Sequence, residues 1–361
     1  MADDIERLLA ELSEAPGPSG FEGGIRSVVR RELAALVDDL ETDGIGSLIA
    51  RLGGAEARPR VMLSAHMDEL GLMVRRITSD GYLMFQPLGG WLDQALVNQR
   101  WRVLTSRGEV LGVTGIKTVH VMKPDERERV FKRDGLFIDV GARDRADAEE
   151  RLGIRPGDPV APLSRFATFA GGELLLGKAW DDRAGVGVLI EVLRRLQVEP
   201  GPNTVYGAVT VQEEVGLRGA GTSANRVAPD IGINLESGVA GDYPGISEDE
   251  AQERLGRGPA IFLHDSSMLP NLKLRDLVVE VAGDLGVDLQ FNVLTGYGQD
   301  GAAMQQAYGG APVINITVPT RYLHSHNSVI HRGDFLGAVT LVTELVRRLD
   351  AVAVEELRRF D

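Results

Sequence analysis

The sequence predicts an α/β protein in which a doubly wound, mostly parallel sheet is interrupted by a small inserted β-rich domain. Towards both ends of the chain, apolar runs with strand character alternate with segments of helical periodicity, which is typical of a parallel sheet covered by helices. Residues 71–164 instead show short alternating runs separated by turn signals. We therefore expect a main domain formed by residues 1–70 and 165–361, with 71–164 inserted into it.

The elements of the main domain follow from hydrophobic periodicity. Residues 4–14 carry apolar side chains at helical spacing, and Pro16-Gly17-Pro18 ends that helix. Ser19 followed by Glu22 has the pattern of a capping box and predicts the start of a second helix, over about 25–36. The remaining predicted elements are strands at 60–65, 204–211, 231–235, 289–294 and 312–318, and helices at 183–196, 271–286 and 334–350.

The insert contains two clear turn signals. Ser79-Asp80-Gly81 and Ser106-Arg107-Gly108 each separate two alternating segments, which predicts two β-hairpins. No long helical period occurs in the first half of this stretch. A small β-rich domain that carries none of the candidate metal ligands is the simplest interpretation.

Composition restricts the classes of function. Asp and Glu number 53 against 39 Lys and Arg, for a formal charge of −14, so nucleic acid is not expected as a partner. The chain has no cysteine, which excludes disulfides and cysteine-based metal sites or nucleophiles. The acidic N-terminal residues do not resemble a signal peptide, and no uncharged apolar run reaches the ~20 residues of a spanning helix. A cytoplasmic protein without membrane contact is expected.

Acidic residues and histidines stand where predicted strands end or a helix begins, and ligands bind at such places in α/β sheets. His66 and Asp68 follow one strand. A single His-x-Asp motif is often structural, but imidazole is also the commonest metal ligand. Asp181 and Asp182 open a helix. One of them is explained by an N-cap, whereas two adjacent acids are more than a cap requires.

Glu213 and Glu214 directly follow the strand at 204–211. Adjacent carboxylates at the end of a buried strand repel each other unless a cation or a bound proton relieves them. They point in different directions, so one can bind a metal while the other takes a proton from water. Glu236 is another acid at a strand end, and His324 and His326 follow the strand that ends near Pro319.

Together these clusters supply histidines and several carboxylates at one edge of the predicted sheet. That donor set suits two Zn²⁺ or Co²⁺ ions roughly 3.5–4 Å apart. Mg²⁺ is less suitable because it prefers sites made of oxygen alone. The sequence therefore predicts a site for two divalent metal ions.

Five motifs resemble those of the tetrahedral (TET) aminopeptidases, a di-metal family that includes glutamyl and deblocking aminopeptidases and proteins labelled endoglucanase M. The resemblance covers nearly the whole chain. The motifs are Ser-Gly-Phe-Glu at 19–22, Ser-Ala-His-Met-Asp-Glu at 64–69, Gly-Lys-Ala-Trp-Asp-Asp-Arg at 177–183, Val-Gln-Glu-Glu-Val-Gly-Leu-Arg-Gly-Ala at 211–220 and Thr-Arg-Tyr-Leu-His-Ser at 320–325.

The resemblance implies a role for each candidate. His66 and His324 would each hold one metal ion, and Asp181 would bridge both. Glu214 would be a further ligand, as would Glu236, which stands where many relatives have Asp. Glu213 would be the general base and acid. Asp68 would orient His66, and Asp182 would support the bridging carboxylate. His326 is treated as secondary.

The resemblance also implies an activity and an assembly. The enzyme would remove N-terminal residues from short peptides with metal-activated water, and 71–164 would be a dimerisation domain from which dimers build hollow dodecamers. A di-zinc N-acyl amino acid deacylase or carboxypeptidase stays open as an alternative, because its metal site would be nearly the same. A metal-free glycosidase or a metal-binding scaffold explains the acids less well. The preferred N-terminal residue is not predicted; Asp300 is a candidate pocket residue or a helix cap.

Overall fold

The computed structural model describes residues 2–360. The helices within that range are α1 (Ala2–Glu14), α2 (Gly23–Leu33), α3 (Pro124–Arg127), α4 (Trp180–Val198), α5 (Arg218–Val227), α6 (Leu272–Leu285), α7 (Asp300–Gln306), α8 (Arg332–Arg348) and α9 (Ala351–Leu357). The strands are β1 (Asp39–Thr42), β2 (Leu48–Leu52), β3 (Arg60–His66), β4 (Gly71–Ile77), β5 (Leu83–Leu88), β6 (Arg100–Thr105), β7 (Gly108–Gly115), β8 (Phe137–Asp139), β9 (Pro159–Pro162), β10 (Ala167–Phe169), β11 (Leu174–Gly177), β12 (Thr204–Thr210), β13 (Ile231–Val239), β14 (Ala260–Asp265), β15 (Gln290–Leu294), β16 (Val313–Arg321) and β17 (Ser328–His331).

An eleven-stranded mixed sheet forms the main body of the protein. Its four central strands run parallel in the order β12-β3-β13-β16. On the flanks β2 and β1 follow β12, and β17, β11 and β10 follow β16, all antiparallel to their neighbours. The predicted α/β class is confirmed, with parallel pairing at the centre. Short connections such as those of β1–β2 and β10–β11 permit only antiparallel pairing, because a parallel pair needs a long crossover.

Helices cover both faces of this sheet because side chains of the central strands alternate between two apolar clusters. In β3, Val61 and Leu63 belong to the larger cluster, which also contains side chains of α1, α4 and α8. Met62 faces the other way and packs in a smaller cluster with Ala224 of α5 and Met304 of α7. The doubly wound arrangement follows from this alternation.

The strands β4 to β9 form a separate closed barrel in the order β4-β5-β8-β7-β6-β9. Every neighbouring pair in it is antiparallel, and it has its own apolar core around Trp101 and Ile138. The two predicted turns join β4 to β5 and β6 to β7, so both hairpins are confirmed. All barrel strands lie within the predicted insert, whose boundaries and role in dimerisation stay predictions.

Each helix and strand predicted for the main domain has a counterpart within a few residues. The capping box is wrong: Glu22 precedes α2 without a side-chain cap, and the Ser19 hydroxyl donates to Asp68 Oδ2 instead, at 2.6 Å. Within the described residues, no helix combines the length and apolarity needed to span a membrane.

Candidate metal centre

The predicted metal-binding side chains converge at one edge of the sheet. His66 ends β3, Glu236 lies in β13, and Glu213 and Glu214 follow β12. Because these three strands run parallel, the carboxyl-terminal ends meet at the same edge. Asp181 at the start of α4 and His324 in the loop after β16 complete the group.

Asp181 lies between the two histidines. Its Oδ1 is 3.0 Å from Nε2 of His66, and its Oδ2 is 3.3 Å from Nε2 of His324. The backbone is not helical at Asp181 (φ −82°, ψ 103°) or at Asp182 (φ −116°, ψ 44°), and the peptide bond between them is cis. One carboxylate that offers one oxygen to each of two imidazoles has the arrangement needed to share two cations.

The other acids lie near one or both of the histidines. Glu236 Oε1 and Glu213 Oε2 lie 3.6 and 3.8 Å from His66 Nε2, while Glu214 Oε2 lies 3.8 Å from His324 Nε2. Two groups of three side chains could each hold a metal ion, because the potential donor atoms within each group lie within 4.8 Å of one another. One group is His66, Glu213 and Glu236, and the other is His66, Asp181 and Glu214. Distances alone therefore do not separate a ligand from a proton carrier here, and the assignment of Glu213 to proton transfer stays a prediction.

Both histidines are oriented by main-chain carbonyls. His66 Nδ1 donates to the carbonyl of Asp68 at 3.1 Å, and His324 Nδ1 donates to that of Gly90 at 2.7 Å. Because a carbonyl can only accept, each Nδ1 carries a proton and each Nε2 faces the acids. Gly90 belongs to the loop after β5 of the barrel. The sequence could not reveal it, since a carbonyl contact needs no particular residue type.

Asp68 and Asp182 act on the backbone around the site. Asp68 Oδ1 lies 3.5 Å from His66 Nδ1, and the same carboxylate accepts hydrogen bonds from the amides of Glu213 (3.0 Å) and Glu214 (3.3 Å). Asp182 accepts from the amides of Gly185 (2.9 Å) and His66 (3.1 Å). The buried Asp182 therefore caps the regular part of α4 and holds the end of β3, while Asp181 reaches into the centre.

The centre has an excess of buried negative charge. Burial raises the pKa of Glu213 and Glu236 well above the usual range and that of Glu214 to about 8. Burial acts the same way on Asp181, but hydrogen bonds to the two imidazoles outweigh it and hold its pKa far below normal. Burial would lower the pKa of His324; hydrogen bonding to Asp181 and the charge of Glu214 raise it to about 9.

These groups fit bound cations. Among residues 2–360, no Lys or Arg lies within 4.0 Å of the carboxylates of Asp181, Glu213, Glu214 or Glu236; histidines alone do. In addition, Oε1 of Glu214 is buried and has no hydrogen-bond partner. Imidazole nitrogens and carboxylate oxygens are the donors that Zn²⁺ and similar ions take in proteins.

A cleft opens onto this cluster. Besides Asp181, Glu213, Glu214, Glu236 and His324, it is lined by Gly90, Leu217, Gly296, Tyr297 and Gly298. The Tyr297 hydroxyl donates to the carbonyl of Ser237 at 2.8 Å, and its ring stacks on Phe262. No role was predicted for Leu217, although it lies in the motif at 211–220, or for Tyr297, because isolated apolar residues in loops carry no periodic signal.

His326 has a different environment from its neighbour two residues earlier. Its ring packs against Trp101 and Trp91, with centroids 4.4 and 5.5 Å away, and its Nε2 donates to the carbonyl of Arg100 at 3.2 Å. Burial lowers its pKa to about 4, so the ring is neutral near pH 7. His326 therefore attaches the loop after β16 to the barrel.

Asp300 does not line the cleft. It is buried at the start of α7, where Oδ2 accepts a hydrogen bond from Thr210 Oγ1 at 2.5 Å. The candidate pocket residue is therefore placed behind the cleft, against the end of β12. It makes no capping hydrogen bond to α7.

The family described as M42 glutamyl aminopeptidase matches residues 46–341. The chain is 32% identical to the glutamyl aminopeptidase of Lactococcus lactis subsp. cremoris, over 97% of this chain and 98% of that protein. It is similar to the crystal structure of a TET aminopeptidase from the archaeon Thaumarchaeota archaeon SCGC AB-539-E09 (TM-score 0.96, 41% identity, 99% of each chain). It also resembles the Pyrococcus horikoshii TET1 peptidase, which can assemble into a tetrahedron or a large octahedral shell (TM-score 0.87, 32% identity, 96% and 100% of the chains).

The fold and the site, together with these matches, define the class of protein as a peptide-bond hydrolase. The protein belongs to the M42 glutamyl aminopeptidase family, whose match extends over most of the chain. The predicted resemblance to TET aminopeptidases is confirmed.

Proposed function

We propose that the protein removes the N-terminal residue of short peptides with two divalent metal ions, Zn²⁺ or Co²⁺, held in the cleft. His66 and Glu236 would hold one ion, His324 and Glu214 the other, and Asp181 would be shared. The observation that carries this proposal is the position of Asp181, with one oxygen facing each imidazole. Bound ions would lower the pKa of a water molecule and polarise the scissile carbonyl.

The residues around the cleft supply the remaining chemistry. Glu213 would accept a proton at Oε2 from the water that attacks the carbonyl carbon. As the C–N bond breaks, it would return that proton to the leaving nitrogen. Its carboxylate lines the cleft beside His66, and Asp68 holds its backbone amide, which supports this role. The free amino group of the substrate would bind among the carboxylates, which would limit attack to the first peptide bond.

Activity on aminoacyl-p-nitroanilides tests this function. Protein freed of metal with a chelator should be inactive, and Zn²⁺, Co²⁺ or Mn²⁺ added in turn should restore turnover to different degrees. N-acetylated forms of the same substrates are the control, because they lack the free amino group and should not be cleaved. Full activity of the metal-free protein, or equal activity on acetylated substrates, would contradict the proposal. Release of acetate from the acetylated substrates, leaving the free aminoacyl-p-nitroanilide, would favour a deacylase.

We also propose that the protein assembles into a dodecamer built from dimers. The tetrahedral assembly of the related TET1 peptidase supports this. So do exposed apolar side chains on the barrel strands and on the segments that connect them, namely Leu92, Leu111, Val113, Val119, Val121 and Val130. Apolar side chains grouped on one domain are typical of subunit contacts. The cytoplasmic location expected from the sequence stays a prediction.

A further inference from the structure

The backbone of the loop that carries Glu213 and Glu214 is bound by one carboxylate, that of Asp68. The amides of both residues donate to Asp68, at 3.0 and 3.3 Å. The loop also turns sharply, with positive φ at Gln212 (57°) and Leu217 (55°). Because the backbone amides fix where the two acidic side chains start, the orientation of the Asp68 carboxylate helps to set their directions.

Asp68 is itself fixed by the segment between α1 and α2. Ser19, only 4% exposed, donates its hydroxyl to Asp68 Oδ2 at 2.6 Å. The carboxylate is buried, so this short bond is not exchanged for one to bulk solvent. Ser19 lies outside residues 46–341, the part of the chain that the family match covers.

The backbone positions Ser19 independently of its side chain. The Ser19 amide donates to the Glu69 carbonyl at 3.3 Å, and the Glu69 amide donates to the Gly17 carbonyl at 3.0 Å. A turn closed by the Phe21 amide on the Pro18 carbonyl (2.8 Å) follows, with Gly20 at φ 84°, a conformation that favours glycine. Removal of the hydroxyl should therefore leave the segment docked.

We propose that Ser19 is a positioning residue for the reaction: its hydroxyl fixes the Asp68 carboxylate, which holds the backbone of Glu213 and Glu214 in the orientation that proton transfer requires. The inference rests on the proposed function, because Glu213 is the group that it positions. A small displacement of a reacting group lowers turnover more than it lowers substrate binding. Ser19 thus acts through Asp68 and touches no substrate.

The test compares three substitutions at Ser19 with a matched control elsewhere. Ser19→Ala removes the hydroxyl, Ser19→Thr keeps it, and Ser19→Cys fills the space with a weak donor. Ser223→Ala is the control, because Ser223 is also buried and its hydroxyl also donates to a carboxylate, Asp43 Oδ2 at 3.3 Å, away from the cleft. The variants are compared as full-length, metal-loaded protein.

Ser19→Ala should lower kcat by ~10-fold or more while KM changes less than about twofold and the bound metal is unchanged. Ser19→Thr should recover most of kcat, Ser19→Cys should fall between them, and Ser223→Ala should match the wild type. Hydrogen exchange measured by mass spectrometry on the peptide 211–217 should be faster in Ser19→Ala than in the wild type, faster to a smaller extent in Ser19→Cys, and unchanged in Ser19→Thr and Ser223→Ala. If Ser19→Ala does not fold, Ser19→Cys takes its place in both measurements.

The inference would be overturned if Ser19→Ala had the kcat and the hydrogen exchange of the wild type. It would also be overturned if Ser19→Thr lost as much kcat as Ser19→Ala. A uniform gain in exchange over the whole chain would show a purely structural role and also overturn it. The exchange measurement needs no turnover. Absence of activity in the wild-type protein would therefore contradict the proposed function, while the 211–217 peptide would still decide whether Ser19 holds the loop.

Discussion

Glu213 and Glu214 are adjacent in sequence, yet their side chains reach different histidines. Glu213 Oε2 lies 3.8 Å from His66, and Glu214 Oε2 lies 3.8 Å from His324. The Asp68 carboxylate binds the amides of both. Two neighbouring acids of one residue type can therefore have separate functions, which single substitutions can distinguish.

Glu213→Gln tests the function of the first acid. The amide has nearly the same size but cannot accept and return a proton, so kcat should fall by at least ~10²-fold. Bound metal, measured by elemental analysis of dialysed protein, should stay at the wild-type level. Glu214→Gln is the comparison and should lose metal. If Glu213→Gln loses metal while keeping its turnover per bound ion, the two assignments are exchanged.

The two histidines of the loop after β16 offer a second matched pair. His324→Phe removes a proposed ligand and should lower the metal content by roughly one of two equivalents, with loss of activity. His326→Phe keeps a ring between Trp91 and Trp101, so metal and most activity should be retained. Elemental analysis and kcat together check both. Metal loss in the His326 variant, with metal retained in the His324 variant, would refute the assignment.

At the scale of elements, the cleft is formed by loops from both parts of the fold. Gly90 comes from the barrel, Leu217 from the loop before α5, and Tyr297 from the loop before α7. Among the described lining residues there is no Lys or Arg. The side chain of an N-terminal Glu or Asp that enters this cleft would thus meet the apolar walls formed by Leu217 and Tyr297 without a Lys or Arg partner; Lys178 lines the adjoining cavity but is paired with Glu69.

We therefore expect neutral, apolar N-terminal residues to be preferred over acidic ones. kcat/KM for leucyl-p-nitroanilide should exceed that for glutamyl-p-nitroanilide by ~10-fold or more, because removing a charged side chain from water without a paired group is costly. Leu217→Lys should lower this ratio because it adds a cation to the wall of the cleft. Val352→Lys, at an exposed position on α9, should leave the ratio unchanged. A wild-type preference for the glutamyl substrate would disprove the expectation.

The sequence predicted the long, regular elements and the residues at their ends. β3, β12 and β13 carry apolar runs, and His66, Glu213 and Glu236 stand out as the acids and histidines at or beside their ends. The flanking strands such as β10 were missed because three or four residues carry no readable period. The helix α5 was missed too, since it contains two glycines and few apolar residues.

Contacts made by the backbone could not be predicted at all. Gly90 accepts a hydrogen bond through its backbone carbonyl, and Glu213 and Glu214 donate through their backbone amides. Almost every residue type has these backbone groups, so the sequence does not mark the positions that use them. Ser19 was misread for a related reason: Ser followed three residues later by Glu satisfies the pattern of a local cap. Its actual partner, Asp68, is 49 residues away in the chain.

At the scale of the whole molecule, the barrel contributes to the site and also carries the exposed apolar side chains on which the proposed assembly depends. It orients His324 through Gly90 and packs against His326, while apolar side chains on its outside stay exposed. Subunit contacts through that surface would bury part of it. A stable interface needs roughly 1,000 Å² or more.

Light scattering on metal-loaded protein at micromolar concentration should give about twelve times the 39.0 kDa chain mass. Val121→Glu, on the exposed segment after the barrel strand β7, should lower that mass because it adds a charge to an apolar contact. Val198→Glu, at a position that is even more exposed but lies at the end of α4, should not. A monomer or dimer mass for the wild type would contradict the dodecamer.

The central claim is that two cations are held on either side of Asp181. Diffraction from crystals of zinc-loaded protein, recorded at the zinc absorption edge, tests it most directly. Two anomalous peaks should appear, one beside His66 and Glu236 and the other beside His324 and Glu214, with Asp181 in contact with both. A single peak, or peaks away from Asp181, would contradict the account.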